Sequence, residues 1–149
     1  MREGEAELPM TNTKELQTLH TAVIDARNGY DEAIKDAEAA ELKLMFEKVR
    51  RVHSLAHQDI HKLLVDRGLT PDEGGSFMTT VHEVVIGVRA AVIGLGPDSL
   101  PAFANGEEDT LRKYDNAMSA DPSSAATLRP HRAALDGAMA EMRTMAEGR

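Results

Sequence analysis

Cysteine and tryptophan are both missing from the 149-residue chain, and aromatic residues make up only 3% of it. Without cysteine there can be no disulfide framework and no thiolate metal site. A reducing compartment fits this, and the cytoplasm is the expected location. Basic charge is also short: 17 Lys and Arg stand against 25 Asp and Glu, for a net charge of −8. The basic face that phosphate binding needs is absent, so nucleic acid is not an expected partner. No apolar run approaches the ~18 residues of a spanning helix, so no membrane partner is expected either. There is no nucleophile elbow and no phosphate loop, and Gly94-Leu95-Gly96 lacks the downstream glycine of a dinucleotide fingerprint. No serine lies in a context that supports a triad.

What remains is dominated by Ala, Leu, Glu, Lys, Arg and Met, the composition of an all-α protein of one domain. Two stretches look like copies of each other. Superposing Tyr30 on Tyr114 also aligns Asp25 with Asp109, Asp31 with Asp115 and Ala33 with Ala117. Each copy is followed by a short break and a second helical run, so a helix hairpin is used twice.

Apolar spacings of three and four predict helix A over 13–37, with a stripe of Leu16, Leu19, Val23, Ala26, Tyr30, Ala33 and Ala37. Helix B is expected over 40–67, with Leu42, Met45, Val49, Val52, Ala56, Ile60 and Leu63 inward and Gly68 as its stop. A turn-rich loop follows. Residues 77–94 are β-branched but helically spaced, and are expected to form a crossover helix, capped by Ser76. Helix C is expected over 98–120 and helix D over 123–146, with Pro122 at its first position and Pro130 perturbing its start. Residues 1–12, carrying Glu3, Glu5 and Glu7, are expected to be a disordered acidic tail ahead of a domain covering 13–147. Four long helices with a long link between the second and third match a ferritin-like four-helix bundle with an additional crossover helix.

The chain resembles a family of short bacterial ferritin-like bundle proteins catalogued as a domain of unknown function. The matching features are D-A-R-N-G-Y-D-E-A in helix A, the Gly75-Ser76 to His82 segment, and N-G-E-E-D with Tyr114 downstream. The resemblance implies a fold and a loose association with ferritin-like proteins, and it implies no reaction. A non-enzymatic role is therefore expected, either stress-related or as an interaction module, in a homodimer or larger homo-oligomer.

The ferritin-like fold raises the question of a carboxylate-bridged metal pair. Such a site takes a Glu from each of two helices and a Glu-x-x-His from each of the other two. Asp25 and Glu32 project opposite the helix A stripe, and Val23 holds its central inward position. Three residues before His53 stands Arg50, and three before His131 stands Leu128, so neither Glu-x-x-His is present. Polar residues nevertheless face inward at mid-height: Glu107 on helix C, His53 on helix B and His131 on helix D.

A buried carboxylate needs a partner, and Glu107 is expected to find one in His53, His131, Arg27, a tyrosine hydroxyl or water. That set reads as a structural polar pair. The alternative is a non-standard site for Fe, Mn or Zn built from His53, Glu107, His131 and His57, with His20 level with His57. His53, His57 and His61 recur at four-residue spacing, and His61 is expected to point to solvent. His82 and Glu83 are expected at the surface. Tyr30, Tyr114, Met118, Met139, Met142 and Met145 are expected in the core.

Overall fold

The computed structural model describes residues 2–71 and 97–148. Every regular element among them is helical: α1 (Arg2–Asp36), α2 (Ala40–Asp66), α3 (Leu100–Ala120) and α4 (Ala125–Glu147). Short 3-10 turns at Pro97–Ser99 and Pro122–Ser124 lead into α3 and α4. No helix among the described residues is long and apolar enough to cross a membrane. The expected crossover helix, its Ser76 cap and His82-Glu83 lie outside the described residues.

The expected helix bounds are met within a few residues, except at the start. α1 begins at Arg2 rather than near Thr13, and takes in the segment expected to be a disordered tail. Glu and Ala, four of residues 3–7, are good helix formers and extend a helix already committed downstream. Pro130 does not break α4, which begins at Ala125 and runs through it.

The predicted stripes form one core. Leu16, Leu19, Val23, Leu42, Val49, Ala56, Ile60, Ala104, Leu128 and Leu135 all have no exposed surface. Phe46 and Leu64 are as deeply buried, although one residue off the expected α2 stripe, because α2 packs against both α1 and α4 and so buries a wide face.

Cross-helix ion pairs set the directions. Lys48 meets Glu141 and Asp59 meets His131, so α2 and α4 run antiparallel. Asp115 meets Arg132 and Glu108 meets Arg143, so α3 and α4 do too. Arg67, just past the end of α2, reaches Asp121 at the end of α3, 2.5 Å away. The second and third helices therefore point the same way. Since α3 has 21 residues, or ~31 Å at ~1.5 Å each, the chain between α2 and α3 joins opposite ends of the bundle.

Candidate functional site

Three of the chain's five Phe and Tyr residues gather at one place. Tyr30, Phe46 and Phe103 pack ring against ring, with centroids 5.8, 5.4 and 4.9 Å apart. His53 stacks on Tyr30 at 5.8 Å with only 21° between the ring planes. Into this apolar nest projects Glu107, which is 3% exposed. Its Oε2 accepts a hydrogen bond from the Tyr30 hydroxyl at 2.8 Å, between residues 77 apart in sequence. The same oxygen lies 2.6 Å from His53 Nε2. Three helices, α1, α2 and α3, thus meet on one carboxylate oxygen.

The protons can be assigned from the geometry. Two groups share Oε2, so both donate: the phenol of Tyr30 and an Nε2–H of His53. His53 Nδ1 is buried and has no hydrogen-bond partner among the described residues. A bare ring nitrogen tolerates that better than an N–H would, which favours a proton on Nε2 facing Glu107. Tyr30 is held as a phenol. Burial pushes its ionisation well above the ordinary range, and the charge of Glu107 and their hydrogen bond push it further. Tyr114, fully buried, is raised likewise, first by burial and then by the Glu107 charge. Its hydroxyl has no hydrogen-bond partner among the described residues.

The duplication is broken at this point. At the offset that places Tyr30 on Tyr114, Glu107 falls on Val23 and His53 on Gly137. One half of the molecule supplies the carboxylate, and the other has a valine there. Among the described residues, those at this centre do not fit a carboxylate-bridged metal pair. Among the described residues Glu107 is the only buried Glu, and its one contacting oxygen is already shared by two donors.

The other expected ligands go elsewhere. His131 does not join Glu107; it lies at the α2–α4 seam with its side chain 15% exposed, 2.6 Å from Asp59. A carboxylate on the facing helix holds it there. His57 turns to His20, with ring centroids 5.0 Å apart, so these two are level as the hairpin spacing implied. His61 does not point to solvent. It also faces His20, at 5.7 Å, because α1 continues alongside α2 at that height. The donor atoms of His20, His57 and His61 all lie within 4.8 Å of one another.

Asp25 is a second departure from expectation. Although it lies off the α1 stripe, one of its carboxylate oxygens is buried without a hydrogen-bond partner among the described residues. Burial raises its pKa from 3.8 to about 6. Helical-wheel position alone gave no sign of this.

No curated protein and no solved structure matches the chain. A family model does match, over residues 11–120. That span contains Tyr30, His53, Glu107 and the three clustered histidines, and it stops before α4 and His131. The chain belongs to the family described as Domain of unknown function (DUF2383).

Proposed function

We propose that the protein is a non-enzymatic, ferritin-like four-helix bundle that acts by association, with a second copy or another protein, rather than by chemistry at mid-bundle. The observation that carries this reading is the closed state of the Glu107 centre. One oxygen serves both Tyr30 and His53, inside a ring of aromatic side chains. This is a register lock: it fixes how α1, α2 and α3 slide against one another, and the shared oxygen of Glu107 is already taken up by two protein groups. The end-to-end link between α2 and α3 supports the ferritin-like path, in contrast to a simple up-and-down bundle.

Association has a candidate surface on the outside of α2. Leu44, Leu55 and Val65 are 65%, 45% and 49% exposed, and Leu44 and Leu55 fall about 20° apart on the helical wheel at ~100° per residue. Sedimentation velocity on tag-free protein tests the reading. A dimer or larger species is expected at micromolar concentration, and Leu44→Glu with Leu55→Glu should shift it to monomer. A wild-type monomer at every concentration, with no partner recovered by cross-linking, would count against it.

A further inference from the structure

One histidine cluster plays no part in the Glu107 centre. His53, His57 and His61 stand four residues apart on α2 and form a single row. The row divides: His53 turns inward to Glu107, while His57 and His61 turn towards α1 and meet His20. The ring centroids of His57 and His61 are 5.9 Å apart, as expected for neighbours one helical turn apart.

We infer that His20, His57 and His61 form a binding site for one divalent transition-metal ion of the imidazole-preferring class, with zinc its first member. The donor set decides the class. Among the described residues the gathered donors are three imidazoles, a set that suits zinc, copper or nickel better than the oxygen-seeking magnesium, calcium or manganese. Two histidines four apart on one helix face are a recurrent chelating pair. His20 adds a third nitrogen from the facing helix, so the site ties α1 to α2.

The reach is adequate. Zinc–nitrogen bonds of about 2.0–2.1 Å place tetrahedral ligands ~3.4 Å apart. Donor atoms that lie within 4.8 Å of each other close to that distance by side-chain rotation, with the helices in place. Burial is graded across the site. His20 is 2% exposed and His57 and His61 are intermediate, so the two α2 histidines are the more accessible donors. These three ligands fill three of the four positions of a tetrahedral ion. The site is separate from the Glu107 centre, and it stands whether or not the protein acts by association.

The test uses the tag-free full-length protein, stripped with chelator and dialysed. Titration with Co²⁺ should give visible d–d bands that saturate at one equivalent and disappear when Zn²⁺ is added. Zn²⁺ should also raise the melting temperature. His57→Gln and His61→Asn change partly exposed residues, and circular dichroism will show whether each variant stays folded. Each should weaken Zn²⁺ binding roughly 100-fold or more, because even outer partners of metal ligands typically cost ~10–100-fold. His131→Asn, at the seam with Asp59, should bind Zn²⁺ like the wild type. Absence of saturable binding overturns the inference. So does binding that survives in folded His57→Gln/His61→Asn protein, or binding that is lost equally in His131→Asn.

Discussion

At the scale of the residue, Glu107 is the decisive side chain. A carboxylate in an aromatic nest costs stability unless its hydrogen bonds are made, and two are made here, from Tyr30 and His53. Tyr30→Phe should lower the unfolding free energy by about 1–2 kcal/mol, and Glu107→Gln by about 1–3 kcal/mol. Because the two groups touch, the double variant should cost less than the sum, with a coupling of at least ~0.5 kcal/mol in a urea-denaturation cycle. Strict additivity would show that the 2.8 Å contact contributes nothing in solution. Asp25 makes the opposite case, a carboxyl whose burial is not offset. Its folded pKa, about 6 against 3.8, means that the folded protein keeps a proton that the unfolded chain releases. Stability from this group is therefore present below pH ~4, is lost as the pH rises to ~6, and is level above that. Asp25→Asn should remove the loss. The melting-temperature difference between Asp25→Asn and wild type should grow in favour of the variant from pH 4 to pH 6.5. A difference that stays constant over that range contradicts the assignment.

At the scale of the element, helix ends show how local sequence acts. α2 stops in a left-handed glycine turn. Gly68 has φ +84°, its N–H donates to the Val65 carbonyl at 2.9 Å, and the Leu69 N–H donates to the Leu64 carbonyl at 3.1 Å. Leu64 is buried and Leu69 packs on the same core, so the turn also completes an apolar contact. A Cβ at position 68 would meet no atom within 4 Å. Gly68→Ala thus isolates the backbone cost, and a loss of ~1 kcal/mol in thermal or urea unfolding is expected. An unchanged midpoint would mean that the turn relaxes freely. This stop was legible in the sequence because glycine after an apolar periodic run has one dominant use. The helices were legible for the same reason: Leu16, Leu19, Val23 and Tyr30 repeat at the helical period, and all are buried. The N-terminal extension of α1 was not legible, since Glu-rich segments are equally suited to helix and to tail.

At the scale of the whole molecule, the site was only half legible. The wheel placed His53 and Glu107 inward on separate helices, and they meet. It also placed His131 inward, but position on one helix does not say which neighbour's carboxylate will draw a ring aside, and Asp59 did. The three-histidine group escaped because it needed the relative height of two helices as well as their faces. The same limit applies to Arg67, whose meaning is invisible until the hairpins are assembled. Its guanidinium donates to the Leu63 carbonyl at 3.0 Å and to Ser123 Oγ at 2.9 Å, and it pairs with Asp121 at 2.5 Å. It thereby closes the end of α2 and ties the first hairpin to the turn of the second. The Asp121 side chain is 7% exposed and that of Arg67 19%, so removing the cation leaves a nearly buried carboxylate without that counter-charge, though still hydrogen-bonded by the Ser123 hydroxyl. Arg67→Ala should cost about 2 kcal/mol, short of the ~3–5 kcal/mol typical of fully buried pairs because water reaches the arginine side. Arg67→Lys should recover less than half of it, since an ammonium cannot span a carbonyl, a hydroxyl and a carboxylate with one planar fork. Urea unfolding measures both variants. The midpoint should fall with the slope unchanged, because the hairpins still unfold together. A fall in slope instead would show that Arg67 is what makes the two hairpins one cooperative unit, and a loss below ~0.5 kcal/mol would place it among ordinary surface pairs.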